Sequence, residues 1–128
     1  MSEKKILVVD DEEMIRDIFE QAFTIAGYSV RLAKSAEEAL EVLKDDKIQV
    51  MFLDLNLPGL NGIDLCKQIR KDFPKAIIHA VTGYASLFEL SDCRDAGFDD
   101  YFNKPVKLAD LLKAAEAAFD KPGRCKTK

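Results

Sequence analysis

Val50-Met51-Phe52-Leu53-Asp54-Leu55-Asn56-Leu57-Pro58-Gly59-Leu60-Asn61-Gly62 is the stretch that decides the fold. Its first four residues form an unbroken apolar run, as in a strand buried on both faces, and Pro, Gly and Asn follow soon after Asp54. A carboxylate therefore stands at the mouth of a buried strand. The same arrangement occurs earlier, where Ile6-Leu7-Val8-Val9 runs into Asp10 and Asp11. It recurs in weaker form where Ala76-Ile77-Ile78-His79-Ala80-Val81 ends at Thr82, and where Asp100-Tyr101-Phe102-Asn103 ends at Lys104-Pro105. Strand ends lie side by side in a parallel sheet, so three acids, a hydroxyl and an ammonium would converge on one spot.

Helical patterns separate these strands. Met14, Ile15, Ile18, Phe19, Ala22, Phe23 and Ala26 recur at helical spacing before Gly27, a plausible stop. Tyr28, Val30 and Leu32 then alternate with Ser29 and Arg31, the period of a strand with one wetter face near a sheet edge. Ser35-Ala36-Glu37-Glu38 has the form of a capping box, and Ala36, Ala39, Leu40 and Leu43 give the helix after it an apolar stripe. Ile63, Cys66, Ile69, Arg70 and Phe73 trace a third helix closed by Pro74. Leu87, Leu90, Cys93 and Ala96 keep a weaker rhythm, with Phe88 off the apolar face. Leu108, Leu111, Leu112, Ala115 and Phe119 form a strong last helix. Alternating strands and helices of this kind predict an α/β fold, a single doubly wound five-stranded parallel sheet. Right-handed crossovers favour the flavodoxin-like order 2-1-3-4-5, with Asp10, Asp11 and Asp54 at the switch point between strands one and three.

The 128 residues fit one domain, read as 1–120, followed by a basic tail over 121–128 that is expected to be disordered. A formal charge of -4 argues against an electrostatic nucleic-acid binder. Cys66, Cys93 and Cys125 are widely spaced, odd in number and without a CxxC pair, so a reduced, cytoplasmic chain is expected and Cys125 reads as incidental. The first apolar run is too short for a signal-peptide core or a membrane span, and no membrane association is expected.

Three carboxylates held together repel one another, and a hard divalent cation is the common remedy. An all-oxygen donor set without His or Cys favours Mg²⁺ over zinc. A carboxylate can also be a nucleophile that carries a phosphoryl group as an acyl phosphate, and Asp54 is the best placed. Lys104 would pair with phosphoryl oxygens, and the Thr82 hydroxyl would hydrogen-bond another. Each residue alone has an ordinary reading: strand-end acids cap helices, Lys104 before Pro105 sits on the surface, Thr82-Gly83 is a turn. Four strand ends carrying complementary groups outweigh these readings taken singly. His79, mid-strand in an apolar run, reads as a satisfied core residue rather than a phosphorylation site.

These residues resemble the response-regulator receiver family over roughly residues 4 to 120. Asp10 and Asp11 are similar to its acid pair, Asp54 to its phospho-accepting aspartate, Thr82 to its hydroxyl residue, and Lys104 with Pro105 to its lysine-proline pair. The segment Asp54 to Gly62 resembles the D-x-x-L-P-x-L-N-G pattern, and Ala96-Gly97 with Asp99-Asp100-Tyr101 resembles the lead into strand five. The resemblance implies a phosphorylation switch of two-component signalling, chemotaxis-regulator-like and stand-alone. A histidine kinase or phosphotransfer protein would donate the phosphoryl group. Asp11, Asp54 and the Asn56 main-chain carbonyl would bind Mg²⁺ directly, and Asp10 through water. Gly83 would leave the phosphoryl group accessible, while Asn56 and Tyr84 would tune its hydrolysis. Thr82 and Tyr101 would act as the switch pair, with Tyr101 exposed at rest and the surface around Phe88, Tyr101 and Ala114/Ala117 altered on activation. That face, made by helix four, strand five and helix five, would bind a downstream target or a second copy as a homodimer. Phe98 and Asn103 depart from the family pattern, which bears on the docking surface rather than the chemistry.

Two other classes compete. An aspartate-nucleophile phosphatase would carry a second acid two positions after the nucleophile, where Asn56 stands, and a cap for which no residues are spare. A phosphorylation-independent interaction module of the same fold would have lost Asp11, Asp54 or Lys104, and all are present. No G-x-G-x-x-G or G-x-x-x-x-G-K-[ST] loop supports dinucleotide or nucleotide binding. The chain is thus expected not to be an enzyme except on itself. Whether it acts alone or is part of a longer regulator is left open by the residues after 120.

Overall fold

Side chains alternate across a strand, and in the three central strands of this chain both alternating sets are largely apolar. The computed structural model describes residues 4–83 and 90–120. In it, β1 (Lys5–Val9), β2 (Ser29–Ala33), β3 (Val50–Asp54), β4 (Ile77–Thr82) and β5 (Asp100–Asn103) form one sheet of order β2-β1-β3-β4-β5, every neighbouring pair parallel. Helices α1 (Glu13–Ile25), α2 (Ala36–Asp45), α3 (Gly62–Asp72), α4 (Leu90–Ala96) and α5 (Leu108–Phe119) alternate with the strands. The expected doubly wound order is therefore the one adopted.

One set of strand side chains, including Leu7, Val9, Met51, Leu53, Ile78 and Ala80, packs with residues of α2, α3 and α4. The opposite set, including Ile6, Val8, Val50, Phe52, Ile77 and Val81, packs with Phe19 and Phe23 of α1 and Leu111 and Ala115 of α5. Phe19, Phe23 and Phe52 meet there in edge-on and tilted pairs, each contributing about 0.5–1.5 kcal/mol beyond burial. His79 is buried in this layer, stacked on Phe52 at 4.1 Å, with Nδ1 2.9 Å from the Met51 carbonyl. It is a core residue, as the sequence predicts.

The capping box at α2 is real, with one change of partner. Ser35 accepts from the Glu38 N–H at 3.1 Å, while the Glu38 carboxylate accepts from Lys34 N–H at 2.7 Å. In α1 the apolar list proves too wide. Ile15, Phe19 and Phe23 face the sheet, whereas Met14 and Ile18 lie on the rim of that arc and are 72% and 42% exposed. Ala26 is exposed beyond the helix end, and Leu108 is likewise half out of the core at the start of α5. Phe98 is buried with Cys93 and Ala96 in the layer under α4. The expectations for Tyr84, Phe88, Leu87 and the tail 121–128 with Cys125 fall outside the described residues. Among the described residues no helix is long and apolar enough to cross a membrane.

Candidate functional site

The carboxyl ends of β1, β3 and β5 deliver the site. β1 hands over to Asp10, buried, and Asp11, exposed; β3 ends on Asp54, buried; the residue after β5 is Lys104. Carboxylate oxygens of Asp10, Asp11 and Asp54 all lie within 4.8 Å of one another. The Lys104 ammonium reaches into them, 2.9 Å from Asp10 Oδ2 and 3.4 Å from Asp54 Oδ2. A cavity of about 290 Å³, lined by Asp11, Glu12, Asp54, Asn56, Gly83 and Lys104, opens above them.

Backbone contacts hold these groups in place. Asp54 Oδ1 accepts from the Asn56 N–H at 3.2 Å, and Asp10 Oδ1 from the Glu12 N–H at 2.9 Å, so both acids brace the turns that follow their strands. Arg16 Nη1 donates to the Asp10 carbonyl at 2.8 Å, tying the β1 exit to α1. Gly62 donates its N–H to the Leu55 carbonyl at 3.0 Å. A Cβ at Gly62 would stand 2.3 Å from the Asp54 carbonyl oxygen, so only glycine lets α3 begin this close to the acid. At Gly83 a Cβ would meet only the Lys104 stem at 3.7 Å, an ordinary contact.

The charges do not balance, and the acids record it. Burial pushes the Asp54 carboxyl up to about 6 and the Asp10 charge adds to this, against the lowering effect of Lys104 and the Asn56 N–H. Asp10 is raised as well, again chiefly by burial, despite its bonds to Glu12 and Lys104. For Lys104, burial alone would lower the ammonium, but the hydrogen bond to Asp10 and the charges of Asp10, Asp54 and Glu12 outweigh it and raise the net value. Three carboxylates facing one ammonium, with oxygen donors only, is a donor set that suits a hard divalent cation such as Mg²⁺.

Of the residues singled out in the sequence, Asp10, Asp11, Asp54 and Lys104 come together, with Asn56 and Gly83 on the cavity wall. Thr82 is wholly buried at the end of β4, where its carbonyl accepts from Lys104 N–H at 2.8 Å, and Gly83 takes the adjacent place on the wall. Tyr101, expected to be exposed at rest, is half-buried against the layer that includes Cys93 and Phe98. β5 gives it inward direction because Tyr101 and Phe102 must point to opposite faces of the sheet. Burial and the nearby Cys93 raise its phenol. Ala114 is half-buried on the other face and Ala117 exposed. Residue-by-residue reading passed over Glu12, Arg16 and the steric role of Gly62. The acidic run Asp10-Asp11-Glu12-Glu13 was the available signal for the first.

Comparison with known proteins meets this geometry. Residues 6–116 match the family model described as the response regulator receiver domain. Response regulator MprA of Mycolicibacterium vanbaalenii is 36% identical over 113 residues, spanning 88% of this chain and 49% of that protein. Response regulator MprA of Mycobacterium avium (strain 104) is also 36% identical over 113 residues, with 88% of this chain and 50% of that protein covered. The chain thus spans about half the length of the curated relatives it matches. Among solved structures, a response regulator receiver domain protein (CheY-like) from Methanospirillum hungatei JF-1 superposes with a TM-score of 0.89 at 31% identity, covering 98% of this chain and 100% of that one. The receiver domain of NtrX from Brucella abortus gives 0.84 at 32% identity, covering 91% and 98%.

Proposed function

The chain belongs to the response regulator receiver domain family of two-component signalling, and from that premise we propose that it is a switch driven by phosphorylation of Asp54. The observation that carries this reading is a buried carboxylate raised to about 6, facing a cavity 3.4 Å from an ammonium. An Asp54 oxygen forms a bond to phosphorus while the N–P bond of a donor phosphohistidine breaks, and the electron pair returns to the donor imidazole. Water later attacks the same phosphorus, releasing phosphate and restoring the carboxylate. Lys104 pairs with the phosphoryl oxygens and the Thr82 hydroxyl holds another, so the chain catalyses only its own phosphorylation and dephosphorylation.

Asp11 and Asp54, with the Asn56 main-chain carbonyl, would hold Mg²⁺, and Asp10 would act through water; when bound, the ion supplies positive charge against the clustered carboxylates and the phosphoryl oxygens. Asp10 keeps Lys104 aimed across the site at 2.9 Å. The donor is a histidine kinase or phosphotransfer protein, acting in the cytoplasm. Its docking ground is the exposed apolar pair Met14 and Ile18, one turn apart on α1, with Leu108 at the start of α5. Both helices begin at the strand edge that carries the site and pack on the same face of the sheet.

Phosphorylation adds roughly two negative charges and several acceptor oxygens, which draw Lys104 and Thr82 toward Asp54. Tyr101 answers from β5, three residues before Lys104, and a cavity of about 270 Å³ bounded by Cys93, Arg94, Phe98, Asp99, Asp100 and Tyr101 leaves the ring room to reorient. The altered α4, β5 and α5 face then engages a downstream protein or a second copy. Incubation with acetyl phosphate and Mg²⁺ should add one phosphoryl group by intact mass, absent in Asp54→Asn; equal labelling of that variant defeats the assignment. Beryllofluoride should shift the Tyr101 ring resonances, and Thr82→Ala should suppress the shift.

A further inference from the structure

Lys104 has a third partner. Its ammonium lies 3.7 Å from Glu12 Oε1, besides Asp10 at 2.9 Å and Asp54 at 3.4 Å. Of these carboxylates two are buried, at 3% and 4% side-chain exposure, while Glu12 is 63% exposed. Asp10 and Asp54 hold Lys104 from inside the sheet edge, and Glu12 lies at its solvent side on the wall of the cavity. The Glu12 backbone is fixed: its N–H donates to Asp10 Oδ1 at 2.9 Å and its carbonyl accepts from Arg16 N–H at 3.1 Å. Its side chain is the one member of the set free to swing into water.

We infer that Glu12 is a charge gate on the phosphoryl-accepting site: its carboxylate covers the solvent side of the Lys104 ammonium and disfavours dianionic phosphoryl groups until it is displaced. The inference rests on the receiver reading and concerns how that same site is regulated. A phosphoryl group bound for Asp54 must approach through the cavity that Glu12 lines, and its oxygens compete for the same ammonium. Because Glu12 is solvent-exposed, holding it there contributes little to stability, so its charge acts on the approaching anion more than on the fold. The effect is electrostatic, grows with the charge of the donor, and fades with salt.

Glu12→Gln removes the charge and keeps the shape, and Glu12→Asp keeps the charge. At saturating Mg²⁺, each is compared with wild type using acetyl phosphate, whose phosphoryl group is a dianion at neutral pH, and phosphoramidate, which carries a single net charge. Labelling is followed by intact mass. Glu12→Gln should react about threefold to tenfold faster with acetyl phosphate, with a clearly smaller gain for phosphoramidate, and the gain should shrink as salt rises. Glu12→Asp should stay within about twofold of wild type. An unchanged rate in Glu12→Gln, equal gains with both donors, or Glu12→Asp as fast as Glu12→Gln overturns the gate. Inorganic phosphate titrated into the Mg²⁺-loaded protein, read at the Gly83 and Lys104 amides, gives a second measure that needs no transfer. Tighter phosphate binding in Glu12→Gln supports the gate and equal binding refutes it. If wild type takes a phosphoryl group from neither donor, the receiver reading fails, while the phosphate titration still decides the role of Glu12.

Discussion

The two edges of the sheet are built on opposite terms. At the carboxyl edge Asp10, Asp11 and Asp54 crowd within 4.8 Å around one lysine. At the amino edge one arginine is surrounded by acceptors: Arg70 donates to the carbonyls of Phe73, Pro74, Ala76 and Gly97 and to Asp99 Oδ2 at 3.1 Å. Asp99 Oδ2 in turn accepts from Ile78 N–H at 2.9 Å, so the end of α3 and the entries to β4 and β5 share one polar network. On the β1–β2 side of the sheet, Asp46 pairs with Lys5 at 2.6 Å and Arg31 at 3.1 Å. Polar groups at the amino edge are matched, and at the carboxyl edge they are left in excess. Local conflict placed at the reactive edge is tolerated because the rest of the molecule is consistent.

The largest expected break in this comparison is Arg70→Ala. It removes the shared donor from several carbonyls and a half-buried ion pair, and should cost about 3 kcal/mol in urea denaturation. Beryllofluoride should still bind, since the far edge is untouched. Loss of both together would mean that the two edges are not separable.

Asp54→Asn should move the other way. Burial pushes the Asp54 carboxyl up to about 6 in the folded chain, above its ordinary value of 3.8, so between these values the folded state binds more protons than the unfolded one. Its contribution to stability is therefore lost as pH rises through that window, by on the order of 2–3 kcal/mol. Asp46 is depressed, chiefly by its hydrogen bond to Lys5, and its contribution is present at neutral pH and lost as pH falls through its folded value. Asparagine at residue 54 should raise stability at pH 7 by about 1–2 kcal/mol and flatten the decline between pH 4 and 6. Urea midpoints across that range decide the sign.

Mg²⁺ should repair the carboxyl edge in wild type, adding about 1.4 kcal/mol at ten times its dissociation constant. Asp11→Ala should lose most of that gain in a thermal shift titration with the metal-free fold intact. The smallest expected effect is Gly83→Ala, whose Cβ has only a 3.7 Å contact with the Lys104 stem. It should change stability by less than about 0.5 kcal/mol, and a slower uptake of acetyl phosphate would show that the cavity wall, not the fold, feels the methyl group.

The parallel order and the meeting of Asp10, Asp11, Asp54 and Lys104 were legible because short, largely apolar strands end on or beside those residues, and topology does the rest. The Arg70 network was not. Arg70 reads as one more helical residue, and nothing local says that the carbonyls of Pro74, Ala76 and Gly97 will gather round it. Met14 and Ile18 misled in the opposite sense, since spacing marks an apolar arc but not how much of it a neighbour covers. Glu12 was passed over because the acidic run from Asp10 to Glu13 marks a cluster of acids without showing which of them meets the lysine arriving from the far end of the chain.

His79 brings one more property to the molecule. It is the sole histidine of the 128 residues, and a carbonyl can only accept, so the contact with Met51 makes Nδ1 the donor and sets the tautomer. Its ring lies between Phe52, two residues before Asp54, and Phe102, two residues before Lys104. Ring currents from those aromatics give this imidazole a resolved magnetic address without labels or engineering. A single proton line therefore listens to both strands that carry the reactive pair.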